Sequence, residues 1–386
     1  MTEATSAAQA RAPRASSMIT PMTWIGSLLP IATVTSLVAA VGGVLVVPGL
    51  RGNAAEGTIA VVEKIVGTLS YGAAGLLVAL VCCAAFEVAR ATKVGLLARV
   101  VTVTTSGLAI ALVSPGLLAR LHPVASLALG VVVAVSCLVA GAASLGAPHT
   151  RATGGLLLAF GVAAILRVFA WEIAVWSGDR ANVTGYDFAR GLVTGAVVVE
   201  GAAQSLSGTW LAIKGKPRGL FLAAGAIIAA FALAWVAHRS TGQIGTVGAV
   251  LKSSIVDAQQ PPTPFGLGPV QAFLLPVGIT LAIAASFSSK DARPIAAIVA
   301  LAVGSRARYD VPICALMATA AGLCALLAAA DDRLRWRYIT KEASESPTGF
   351  VKRPPPPAPK AEEPKTDAPT SEADQGSGIR DQGSAD

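Results

Sequence analysis

Two ionisable side chains stand inside apolar runs where a bilayer disfavours charge. Arg167 lies deep in the run 154–176, and Glu200 lies near the middle of the run 191–211. A charge at the centre of a membrane helix costs about 2.5–3.5 kcal/mol on insertion scales, so it persists where it is paired or used. A carboxylate at that depth can bind a proton, a cation or a polar solute, and an adjacent guanidinium tunes its proton affinity. Gln204 and Ser207 follow Glu200 at i+4 and i+7 and extend its polar stripe along one helical face. Glu172 and Arg190 fall near one common level closer to a membrane surface, where a second ion pair is expected.

A helical hairpin must position these groups. The polar stretch 177–187 turns it, with its centre near Asn182, so residues equidistant from that centre face each other. Arg167 then lies opposite Val197. Glu200 is about three residues from that level, roughly 4–5 Å at the rise of an α-helix. A long Arg side chain spans that gap. Gly191 with Gly195, and Gly201 with Ser205, are small-xxx-small pairs and are expected helix contacts. Three readings compete. In one, Arg167, Glu200, Gln204 and Ser207 line a substrate or ion pathway. In the second, Arg167–Glu200 is a static bridge that locks two helices. In the third, Arg167 simply snorkels outward.

The rest of the chain supplies the frame. It has 386 residues, 54% hydrophobic and 13% charged, with mean hydropathy +0.65. Soluble domains are about 25% charged. Apolar runs long enough to cross a bilayer, about 20 residues each, follow one another from Trp24 to Ala330. They are placed at 24–47, 65–88, 100–118, 124–145, 154–176, 191–211, 220–237, 267–287, 294–303 and 311–330. The reading is an all-α, polytopic transmembrane bundle of about ten spans. Helices are required because an open strand edge cannot exist in lipid, and the alternation of a barrel is absent. The first run is too long for a signal-peptide core and is read as a membrane helix. The ninth is short, and is either a thin crossing or a re-entrant half-helix. Crossing is the expectation, because otherwise the Arg-rich flank after Ala330 lands outside.

Loop charge orients the bundle. With the N-terminus inside, the inner loops hold Arg90, Lys93, Arg99, Arg151, Lys214, Lys216, Arg218, Lys290 and Arg293, and the C-terminal flank adds Arg333, Arg335, Arg337 and Lys341. The outer side holds Arg51, Arg120, Arg180, Lys252, Arg306 and Arg308. The excess is on the inner side, so both ends are expected in the cytoplasm. The Ala/Gly/Val/Arg bias is that of a high-GC bacterial genome, which points to a bacterial inner membrane. Three parts result: a disordered N-terminus, 1–23, a bundle, 24–330, and a Pro-rich cytoplasmic tail, 331–386. The tail, with Pro354–Pro357, has too little apolar surface to fold.

Several chemistries are excluded by what is missing. The net charge of +8 is spread over loops and the tail root, without a basic stripe and interleaved aromatics, so no nucleic-acid partner is expected. Cys82, Cys83, Cys137, Cys314 and Cys324 all lie in spans as small apolar filler. His122, His149 and His238 sit near span ends, so a haem site between facing histidines cannot be built. No phosphate-binding loop occurs. No cofactor or metal is expected. Thr102, Thr104, Thr105 and Ser106 in the third span are expected to bond their own helix backbone.

A transporter or channel-type protein is the leading expectation. A non-catalytic subunit of a larger membrane complex comes second. A membrane enzyme acting on a lipid-linked substrate comes third, since no cluster of acids or nucleophile–base grouping is visible. The expected partners are the lipid bilayer, a membrane protein or a second copy of the chain, and a cytoplasmic partner of the Pro-rich tail.

Overall fold

A computed structural model describes residues 21–47, 50, 54–114, 122–179, 183–214, 221, 224–225, 228, 292–305 and 311–331. The chain divides into two compact units, 1–340 and 341–386, and all described residues belong to the first. Those residues are helical apart from short turns, and none of them forms a strand. The helices are α1 (Pro21–Val41), which runs into a π-helical turn (Gly42–Val46), α2 (Glu56–Arg90), α3 (Leu96–Leu112), α4 (His122–Leu145), α5 (Arg151–Asp179), α6 (Val183–Lys214), α7 (Ala292–Gly304) and α8 (Val311–Ala330).

Five of these are long and apolar enough to cross a membrane: α1, α2, and the stretches Leu127–Leu145 of α4, Arg151–Ser177 of α5 and Pro312–Ala330 of α8. α6 has 32 residues, but Glu200, Gln204, Ser205 and Ser207 interrupt its apolar run. α7 has 13 residues and is about 20 Å long, short of a hydrocarbon core of about 30 Å. The runs expected at 220–237 and 267–287 fall outside the described residues, save for the isolated positions 221, 224–225 and 228. Residues 1–20 and 332–386 fall outside them as well, whereas Pro21–Thr23, expected in the disordered N-terminal segment, open α1.

Helix ends depart from the apolar runs for identifiable reasons. α3 starts at Leu96 and ends at Leu112, several residues earlier than hydropathy alone suggests. Pro115 disfavours helix at the residue before it and follows this end closely. At its start, Arg99 is held inside the helix by turning Nη1 back to Ala89 O at 3.4 Å. α5 and α6 both run on through polar residues, because the backbone ladder does not require apolar side chains. Only residues 180–182 therefore remain between the two helices.

α8 is the centre of the bundle. It packs against α2, α3, α4 and α7, and 89% of its apolar window is buried. A helix that is apolar all round belongs inside. Cys137, Cys314 and Cys324 fill this core as small apolar side chains, whereas Cys82 is exposed on α2. Apolar side chains also stand exposed on the outer faces, among them Tyr71, Leu96, Leu97, Phe169 and Leu206. Such faces are consistent with a surface that meets lipid. In α3, Thr102, Thr105 and Ser106 donate to backbone carbonyls one turn back, and Thr105 also accepts from Ser136 of α4 at 2.9 Å.

The tightest helix crossing lies between α4 and α5. A Cβ on Gly141 would sit 2.7 Å from Leu158 N and 2.8 Å from Gly154 O, and one on Gly154 would sit 2.9 Å from Gly141 O. The two backbones touch. Gly191 and Gly195, the expected contact pair, behave differently. Nothing lies within 4 Å of a Cβ on Gly191, and only Leu166 Cδ1 lies at 4.0 Å from one on Gly195. Small residues permit close approach but do not compel it.

One end of the bundle is basic. Met22 of α1, Glu87 and Arg90 of α2, Ala91–Lys93 of the following turn, and Leu327, Ala330 and Asp331 of α8 line a single cavity of about 440 Å³ there. His149, between α4 and α5, donates from Nε2 to Ala328 O at 2.5 Å, so the start of α5 lies at the same end. Ser207 Oγ donates to Ala152 O at 3.3 Å, which brings the end of α6 there too. Arg90, Lys93, Arg99 and Arg151 thus gather on this basic face. α7 ends on the other side, where a Cβ on Gly304 would touch Met317 and Leu37. His149→Ala removes the tie to α8 and is expected to lower stability by about 1 kcal/mol, read as a lower Tm of the protein in detergent.

Candidate functional site

α5 and α6 form an antiparallel pair that holds the polar site at mid-helix. The helix ends at Asp179 and Val183 centre the hairpin near residue 181 rather than Asn182. Arg167 then lies opposite Gly195, which agrees with the approach of Leu166 to that glycine. Glu200 is five residues from this level, about 7–8 Å along the axis, farther than the apolar runs imply. Side-chain direction closes the gap. Side chains lean toward the N-terminus of their own helix, so in an antiparallel pair these two lean toward each other.

They meet. Arg167 Nη2 donates to Glu200 Oε2 at 3.0 Å, with the side chains 1% and 0% exposed. Arg167 is among the largest fully buried side chains in the described bundle. Two opposite charges at this depth stabilise each other strongly, but their desolvation offsets much of that gain. The pair is costly to break and cheap to replace whole.

Gln204 and Ser207 continue the stripe toward the basic face, 3% and 5% exposed. Four and seven residues from Glu200 amount to about 40° and 20° off its face, at about 100° per residue. Ser207 is satisfied by Ala152 O, whereas Gln204 Oε1 has no hydrogen-bond partner. Thr153 Oγ1 of α5 and Ser144 Oγ of α4, both buried, also lack one. Neither residue stands out in the sequence. Thr153 sits beside a charged residue at the foot of a run and reads as loop, and Ser144 reads as a span end. The signal that finds them is the Gly141–Gly154 crossing, which brings their two segments together.

The second expected pair is not made. Arg190 Nη1 donates instead to Asp187 Oδ1 at 3.4 Å, and both are exposed, at 48% and 66%. Glu172 is exposed as well. It shares a level with Arg190 but not a face, because five residues beyond Arg167 turn it about 140° away from the hairpin interior. Equal depth alone does not bring two side chains together. An exposed i, i+3 pair such as Asp187–Arg190 contributes little.

On the opposite side of the Arg167–Glu200 pair the hairpin is apolar. Ala170 and Ala174 of α5 and Ala189 of α6 are buried together, with Ile173, Leu192 and Val193 against them. Ser177 Oγ, buried and without a partner, lies beyond these alanines. Among the described residues no group of three or more His, Cys, Asp or Glu side chains is assembled for a metal ion. No protein-family model, no curated protein and no solved structure matches this chain.

Proposed function

We propose that this is a multi-pass membrane transporter or channel-type protein, with Glu200 as the polar group its solute or ion meets inside the membrane. The observation that carries the reading is the stripe Glu200–Gln204–Ser207. It is buried from mid-helix to the basic face and holds an unpartnered amide oxygen at Gln204. A bridge whose role is purely mechanical needs Arg167 and Glu200 but gives no reason for the polar groups that follow.

Ten spans with both termini in the cytoplasm of a bacterial inner membrane complete the proposal. The basic face carries Arg90, Lys93, Arg99 and Arg151, as a cytoplasmic face does. α6 ends on that face, and α7 runs away from it, as its end beside Leu37 and Met317 requires. An even number of crossings between them fits both. A crossing α7 would be thin, with the bilayer or its charged flanks adapting. The bilayer, a second copy or another membrane protein on the exposed apolar faces, and a cytoplasmic ligand of the Pro-rich tail are the partners proposed.

Glu200→Gln is expected to abolish solute-coupled or proton flux in proteoliposomes reconstituted with equal amounts of folded protein. The amide keeps the volume and can still accept from Arg167. Equal flux from wild-type and Glu200→Gln proteoliposomes overturns the reading.

A second reading is a structural subunit of a larger membrane complex. The direct 3.0 Å bond between Arg167 and Glu200 favours it, because a satisfied pair suits a lock. Co-purification of a stoichiometric partner in mild detergent supports this alternative.

A further inference from the structure

We propose that Glu200 exchanges protons with the basic face alone, through a hydrated seam lined by Gln204, Ser207 and Thr153. Ala170, Ala174 and Ala189 close the other side. Glu200's part in transport is taken from the reading above, whereas the hydration of the seam stands independently of it.

Polarity around Glu200 is one-sided. Toward the basic face, α6 presents Gln204 and Ser207 on the same stripe, and Ser207 reaches Ala152 at the foot of α5. Ser207 lies about 10 Å along the axis from Glu200, so two helical turns separate the carboxylate from that foot. Three buried polar atoms lie along this half without a protein partner: Gln204 Oε1, Thr153 Oγ1 and Ser144 Oγ. Each would cost about 1–3 kcal/mol if left unsatisfied. Water satisfies such groups where the surroundings are polar, and this half carries buried hydroxyl groups on α4 and α5 and a buried amide and hydroxyl on α6.

Toward the other face the surroundings change character. On α5, Ala170 and Ala174 follow Arg167 at i+3 and i+7 on one stripe, and Ala189 of α6 packs with them. All three are buried, with Ile173, Leu192 and Val193 around them. Small side chains let the helices close against each other, leaving no polar lining for water. Ser177, one turn past Ala174, is separated from Arg167 by these alanines. Glu172 is turned to the outer surface and offers no relay.

Charge selects the occupant. The seam opens beside Arg151, whose Nε donates to Leu145 O at 3.5 Å, and α6 ends there at Lys214. A basic mouth disfavours metal cations, and neutral water carries protons past it. The proton moves between Glu200 and that water, and back, with no other bond made or broken.

Cysteine accessibility tests this. In a chain whose five native cysteines are replaced by Ala, single cysteines are placed at Gln204, Ser207, Ala174 and Ala189. Thr92→Cys and Asp187→Cys calibrate the two faces. Sealed vesicles of both orientations are treated with a membrane-impermeant anionic methanethiosulfonate, which the basic mouth does not repel. Gln204→Cys and Ser207→Cys are expected to react roughly tenfold or more faster from the Thr92 face, because a dry apolar barrier excludes a charged reagent from the other. Ala174→Cys and Ala189→Cys are expected to react from neither. Labelling of the seam from the Asp187 face, or from neither face while Thr92→Cys reacts, overturns the proposal. Ser207→Cys decides if Gln204→Cys lowers the yield of folded protein. Seam labelling from the Thr92 face, with Glu200→Gln flux unchanged, leaves the seam standing and removes the transport role.

Discussion

Arg167→Leu is expected to deplete folded protein, and combining it with Glu200→Leu is expected to restore it. The single variant leaves a carboxylate fully buried at mid-helix without the guanidinium 3.0 Å away. Removing one partner of a buried ion pair costs about 3–5 kcal/mol, a large share of a total stability of about 5–15 kcal/mol. Replacing both partners removes two desolvation penalties with the one attraction. The double variant is therefore expected within about 1 kcal/mol of wild type, or above it. Fluorescence-detected size-exclusion chromatography and thermal unfolding in detergent, over the full cycle of two single variants and the double variant, measure this. Equal loss in the single and double variants would show that the two charges do not depend on each other. Flux separates lock from pathway. A double variant that folds well and transports nothing assigns Glu200 to the path, and one that folds and works reduces the pair to a fastener.

Gly141→Val is expected to be the most damaging substitution in the α4–α5 crossing. Even Ala there would place its Cβ 2.7 Å from Leu158 N and 2.8 Å from Gly154 O. Both obstacles are backbone, so neither can rotate aside, and the helices must separate along their length. Overpacking costs about 1–3 kcal/mol when side chains can yield, and backbone contacts place Gly141→Ala at the top of that range or above. Gly141→Val is expected to prevent folding. Gly72→Ala on α2 is the control: nothing lies within 4 Å of the added Cβ, and Ala gains about 0.5–1 kcal/mol over Gly inside a helix. Unfolding midpoints of the two Ala variants should therefore move in opposite directions. The effect at Gly141 reaches beyond the glycines, because the same crossing brings together the segments that carry Thr153 and Ser144.

Much of the site was legible because its residues are improbable where they stand. Arg167 and Glu200 break apolar runs, and hairpin geometry on the sequence alone brings them within reach. The side chains do meet, although their levels differ by more than the runs imply, because α5 and α6 continue through polar residues and leave only three residues between them. Glu172 and Arg190 show where the same reasoning stops. Depth along a helix follows from residue number, but the face must match too, and at about 100° per residue Glu172 is turned outward while Arg190 reaches Asp187 on its own helix. Gly191 and Gly195 carry the pattern of a contact, yet the close crossing is at Gly141 and Gly154. A small-residue pattern marks where helices are able to approach, and the neighbour that approaches is chosen by the packing of the whole bundle.

Hydropathy by itself determined that this chain is helical, with apolar helices long enough for a bilayer. It did so because in an apolar solvent the backbone satisfies its own hydrogen bonds, a constraint that acts locally. The charged interruptions by themselves marked the site, since burying a charge is costly wherever it falls. Only the tertiary structure decided that α8 forms the centre, that α4 and α5 touch at glycine, and that Arg167 meets Glu200 while Glu172 turns outward. Those outcomes depend on which helix faces which, and at which rotation. They are set by side-chain complementarity between segments distant in sequence, which no single run of residues contains.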